Sequence, residues 1–183
     1  MDEAGRRGRV LVAIARESIL AGDAAARGIP REWEEDWLRA TAASFVTLRD
    51  AGELRGCIGT VDAHRALGDD VTHNAHAAAY RDTRFPPLTP DVRDRLEVEV
   101  SVLSARAPIA AASEEALARE LRPGIDGVFL EYEGFRATFL PQVWESLPDP
   151  VDFLMELRRK ARLPARFWHR DLKVSRYTVE KYR

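Results

Sequence analysis

Cys57 is the only cysteine of the chain and stands inside Leu54-Arg55-Gly56-Cys57-Ile58-Gly59. The thiolate is the nucleophilic form of cysteine, and a nearby cation stabilises it. Arg55, two residues earlier, is the cation that spacing supplies. In a regular strand Arg55, Cys57 and Gly59 share one face, and Leu54, Gly56 and Ile58 the other. A glycine inside a strand marks a bulge or a close approach, so Gly59 is expected to leave an open notch beside the sulfur. The chemistry on offer is nucleophilic or redox catalysis, which needs a base or a cation close by. The alternative is a small core residue filling a tight hairpin, since free cysteine often does that.

Other polar residues fall where a ligand could reach them. Asn74 lies on the apolar stripe of a helix, and a buried amide must be hydrogen-bonded. It either binds a ligand or anchors the backbone of the strand that carries Cys57. Asp82 and Arg84 follow that helix and either present a charge pair to a polar ligand or pin their loop to the sheet. Gln142 and Trp144 are candidates to line a cleft, Trp144 equally to pack. Asp69, His73 and His76 sit at helical spacing and could hold a metal, but a solvated polar face has the same pattern. No metal or cofactor is expected.

These residues need elements to position them. Residues 6–21 read as a helix, with Val10, Leu11, Ile14, Ala15 and Ile19 forming one stripe. The stretch from Trp33 to Trp37 reads as loop or short helix. Residues 44–50 and 54–61 are expected to pair as a hairpin through a three-residue loop, Ala51-Gly52-Glu53. Residues 66–80 form a helix whose alanines let it lie close on a sheet, stopped by Arg84-Phe85-Pro86-Pro87. Residues 96–103 alternate as a strand. Ser113 caps a helix. Residues 127–132 and 135–140 make a second hairpin around Glu133-Gly134. Residues 150–162 form an amphipathic helix whose Arg158-Arg159-Lys160 cluster complements its dipole, and 174–182 a final strand. This mixture predicts an α+β fold, a mostly antiparallel sheet with helices packed on it.

Apolar residues make up 45% and charged residues 32% of the 183, the profile of a globular protein able to bury a core. The 28 Lys and Arg against 30 Asp and Glu give a net charge of -2. Ten of the basic residues but only two acidic ones lie from 158 to 183, a local balance of +8. Such a cluster could touch phosphates, yet no nucleic-acid motif is present and residues 1–157 carry -10, which argues against nucleic acid. A lone cysteine suggests no oxidising compartment. No run approaches the ~20 apolar residues of a membrane span, and no signal peptide is visible. A cytoplasmic protein is expected, its oligomeric state open.

Four blocks carry a resemblance. They are Phe45-Val46-Thr47-Leu48 with Gly52-Glu53-Leu54-Arg55-Gly56-Cys57-Ile58-Gly59; Asn74 to Phe85-Pro86-Pro87-Leu88; Glu97 to Leu103; and Gly124-Ile125-Asp126-Gly127 to Trp144. Together they resemble the AMMECR-type family, protein A of AmmeMemoRadiSam gene clusters. His73, His76 and Thr83 depart from its pattern. The resemblance implies one domain over 1–183, with a larger lobe holding both termini and a smaller lobe. It implies as partner a Memo-type protein or a radical S-adenosylmethionine enzyme. On this reading Arg55, Gly56, Gly59, Asn74, Asp82, Arg84 and Gln142 surround a small polar or anionic ligand or a peptide, with Cys57 as the catalytic thiol. The alternative is a non-catalytic adaptor in which the same motif serves the fold.

Overall fold

Apolar alternation along three segments and two apolar helical stripes generate the first of two compact units, residues 1–103 with 180–183. The computed structural model describes residues 2–22 and 35–183. Strands β1 (Ala43–Asp50), β2 (Glu53–Gly59), β3 (Glu97–Leu103) and β8 (Val179–Tyr182) form a sheet in the order β2-β1-β3-β8. One face of this sheet, with Val46, Leu48, Val98 and Val100, is buried beneath α1 (Glu3–Ala21) and α3 (Leu67–Tyr80). Leu11, Ile14, Ala15 and Ile19 supply the stripe of α1; Val71, Ala75, Ala78 and Ala79 that of α3. Short helices α2 (Asp36–Arg39) and α4 (Pro90–Arg93) complete the unit. Trp33 and Glu34 of the stretch expected as loop or short helix lie outside the described residues.

The second unit, residues 104–179, holds the sheet β4-β7-β5-β6. Its strands are β4 (Ala107–Pro108), β5 (Gly127–Tyr132), β6 (Phe135–Phe139) and β7 (Lys173–Tyr177); its helices are α5 (Glu114–Glu120), α6 (Pro150–Lys160) and a 3₁₀ turn, Pro141–Glu145. Ser113 caps α5 by accepting from the Ala116 N–H at 3.2 Å. Trp144 is packing: it stacks on Phe153 at 3.8 Å and donates to the Asp126 carbonyl at 2.7 Å. Arg158 is not a free cation at a helix end. It is fully buried and donates to Glu114 at 2.8 Å and to the Ala165 carbonyl at 3.0 Å.

Two expectations need correction. The first hairpin turns through Ala51 and Gly52 alone (φ 50° and 83°), with Asp50 facing Glu53; positive φ at both central residues matches the natural strand twist. The strand expected over 174–182 is two strands, in different sheets, parted at Thr178. There the Thr178 N–H donates to the Ser104 hydroxyl at 2.9 Å, and the Ser104 N–H to the Thr178 carbonyl at 3.0 Å. Alternation reports a face and not the sheet to which it belongs.

Candidate functional site

β2 is an edge strand, so half of its main-chain polar groups need partners other than β1. At Cys57 those partners come from the loop after α3. The Cys57 N–H donates to Asp82 Oδ2 at 2.9 Å, and the Cys57 carbonyl accepts from Arg84 Nη2 at 3.0 Å. Arg84 in turn holds both oxygens of Asp82, at 2.9 and 2.7 Å. The two side chains stand in for a neighbouring strand and clasp the edge. This answers whether the pair pins its loop to the sheet: it does.

Asp82 is buried, and the hydrogen bonds from Arg84, joined by those from the Cys57 and Arg84 N–H groups, outweigh burial and hold its carboxyl well below the usual carboxylate range. Arg84 is pushed above its ordinary value, first by Asp82 and more weakly by Cys57. A carboxyl depressed in the fold contributes stability that is present above its unfolded pKa and lost as pH falls toward the folded one. Asp82→Asn is therefore expected to cost about 1 kcal/mol at neutral pH, kept small because Arg84 is solvent-screened. Its deficit relative to wild type should shrink below about pH 4, as read from urea midpoints across pH. A deficit constant down to pH 2 would refute the clasp's charge.

The guanidinium hydrogen-bonded to Cys57 is that of Arg84, at the carbonyl. The register slips between Leu48, opposite Gly56, and Arg49, opposite Leu54, so Arg55 is the extra residue of a bulge. A bulge breaks alternation and re-aims the side chain. The Arg55 charge acts on Asp50, whose carboxyl is lowered chiefly by Arg95 and additionally by Arg55. From Gly56 onward alternation is regular. Cys57 stands opposite Thr47, whose hydroxyl lies 3.4 Å from the sulfur. Cys57 is half-buried.

Nor is the space beside Gly59 open. A Cβ there would lie 2.1–2.6 Å from ring atoms of Phe45, its cross-strand neighbour, so that ring fills the expected notch. Gly56, on the opposite face, rests on the main chain of α3.

Asn74 anchors β1 rather than the Cys57 strand itself. Its amide donates to the Ser44 carbonyl at 3.0 Å and to the Ser44 and Thr60 hydroxyls, both at 3.2 Å. Behind it, fully buried Asp70 accepts from the Ser44 N–H and hydroxyl, from Thr60, and from Asn74, and pairs with Arg65 at 3.1 Å. Asp70, Ser44, Thr60 and Thr47 were not singled out by sequence. Serine and threonine give no periodic signal, and Asp70 falls in the first turn of α3, where an acidic residue also suits the helix dipole. His73 is exposed while His76 is buried against Tyr80, ring centroids 5.1 Å apart, so the two do not share a solvated face. Among the described residues no group of three or more His, Cys, Asp or Glu is placed to hold a metal ion. Gln142 is exposed on the 3₁₀ turn of the second unit.

The AMMECR1 family profile matches residues 12–182, through both units. The chain belongs to the AMMECR1 family. A Thermofilum pendens protein is 37% identical over 94% of this chain and 87% of its own length. One from Methanothermobacter thermautotrophicus is 36% identical over 94% and 92%. The crystal structure of an uncharacterized protein from Pyrococcus horikoshii superposes with a TM-score of 0.80 at 33% identity, covering 99% of this chain and 91% of that one. That likeness extends the α+β architecture to an experimentally solved chain. Among the described residues of this AMMECR1 protein no helix is long and apolar enough to cross a membrane.

Proposed function

We propose that this AMMECR1 protein is a non-catalytic binding module, in which Leu54 to Gly59 serves the fold. The observation that carries this reading is the use already made of each distinctive residue. Gly56 seats α3, Gly59 seats the Phe45 ring, and the main chain of Cys57 is clasped by Asp82 and Arg84. The groups brought to Cys57 are a hydroxyl and a guanidinium whose charge Asp82 already offsets. Neither is a general base, and the cation is already engaged by Asp82, so neither kind of activation is offered to a thiol nucleophile.

The family resemblance supplies the partner: a Memo-type protein or a radical S-adenosylmethionine enzyme, met in the cytoplasm by the two units acting as one domain over 1–183. The test is a binding titration of both proteins, from one genome, against wild type and Cys57→Ser. Saturable binding by at least one, kept in the variant, is expected. Loss of binding in a folded variant, or its absence in wild type, would overturn the proposal. A second reading, a thiol-dependent step on a small anionic ligand, draws on the half-buried Cys57 and on Arg84 beside it. Turnover abolished in folded Cys57→Ser would favour that reading.

A further inference from the structure

Away from the clasp, a recess of about 350 Å³ opens in the first unit, lined by Arg16, Thr47, Arg49, Glu97, Glu99 and Arg183. Ligand sites run from about 300 to 1,000 Å³, so this one suits a small molecule. Its charges are unusual in being apart. Arg49 and Glu97 are direct partners across β1 and β3. Opposite charges so placed ordinarily attract and stabilise a sheet. Here they form no ion pair: Arg49 turns to the Gly52 carbonyl at 3.1 Å, and Glu97 is exposed with no ion pair among the described residues. Glu99, by contrast, is held by Arg183 at 2.6 Å.

A guanidinium carries five donors. Arg16 is shown giving one, to the Leu96 carbonyl at 3.0 Å, and Arg49 one, to Gly52. Donors therefore remain on Arg16 and Arg49, and Glu97 brings a carboxylate with no ion pair among the described residues. A simple anion would meet the guanidinium groups but also the repulsion of Glu97; a simple cation meets the reverse. A molecule bearing both charges satisfies both kinds of group, and Thr47 also lines the recess.

We propose that this recess binds a free amino acid, its carboxylate on Arg49 and Arg16 and its ammonium on Glu97. The inference goes beyond partner docking, and its charged groups, Arg16, Arg49 and Glu97, are not those of the Cys57 clasp.

Isothermal titration of the full chain with the proteinogenic L-amino acids, one at a time, tests it, with succinate and putrescine as single-sign controls. At least one amino acid should bind, and both controls should bind at least roughly tenfold more weakly, given the strength of charge-assisted hydrogen bonds. Glu97→Gln and Arg49→Gln alter exposed side chains and should keep the wild-type melting temperature. Each should weaken that amino acid by about tenfold or more, the loss of one charge-assisted contact. The assignment is overturned if no amino acid binds, if either control binds equally well, or if the folded Glu97→Gln protein binds as wild type does. Because the readout is a small molecule, its failure leaves the partner titration untouched, and the reverse holds.

Discussion

Gly56→Ala is expected to cost the first unit about 3 kcal/mol or more, the upper end for overpacking. An ideal Cβ at this position would sit 2.0 Å from the Ala78 carbonyl oxygen and 2.9 Å from its carbon. Real Cβ atoms essentially never come within 3.0 Å of such atoms. The obstacle is main chain, so no rotamer change relieves it. Either α3 lifts from the sheet, opening gaps around Ala75, Ala78 and Ala79, all nearly inaccessible, or β2 shifts away from β1. Against a total stability of ~5–15 kcal/mol, this is a large fraction. Gly59→Ala should be milder, because the Phe45 ring it meets is a side chain that can give way. Urea unfolding followed by circular dichroism measures both. A Gly56→Ala midpoint close to wild type would show that α3 does not rest on β2 as described.

Asp70→Ala is expected to cost a similar amount, about 3–5 kcal/mol, the range for breaking a buried charged pair by removing one partner. The carboxylate has no solvent exposure and four hydrogen bonds converge on it, from the Ser44 N–H at 2.8 Å, the Ser44 hydroxyl at 2.7 Å, Thr60 at 2.7 Å and Asn74 at 3.0 Å, with Arg65 as its ion-pair partner at 3.1 Å. Truncation strands the Ser44 N–H in the interior, where an unsatisfied donor costs about 1–3 kcal/mol by itself. Arg65 is part-exposed and can turn to water, which limits the loss. Asp70→Asn keeps the shape but points an NH₂ group at donors, so its penalty should fall between wild type and alanine. Thermal melts of the pair decide; equal stability of Asp70→Ala and wild type would mean that the network holds nothing.

What could be read from residue order follows from which signals are local. Alternation at Glu97 to Leu103 and the stripe through Val71, Asn74 and Ala78 name their elements and their buried faces, because period and burial are properties of neighbouring residues. Asn74 was legible as a buried amide for that reason, though not what it would bind. The bulge at Arg55, opposite Arg49, leaves no mark in composition, so the simple alternation assumed along this strand could not foresee it. The guanidinium that reaches Cys57, at its carbonyl, comes from Arg84, 27 positions on, and loop path decides that contact. Phe45 covers Gly59 only because of the β1–β2 register. Pairing across strands and the return of loops are set by tertiary packing, and there the spacing of residues falls silent.

The sharpest measurement is the ratio of dissociation constants, Cys57→Ser over wild type, for the Memo-type or radical S-adenosylmethionine partner, with melting temperatures recorded alongside. If the motif is a clasp and not a reactive centre, the ratio stays within about threefold. A loss of roughly a hundredfold or more in a variant that melts like wild type would contradict it, because the sulfur and not the fold around it would then carry the function.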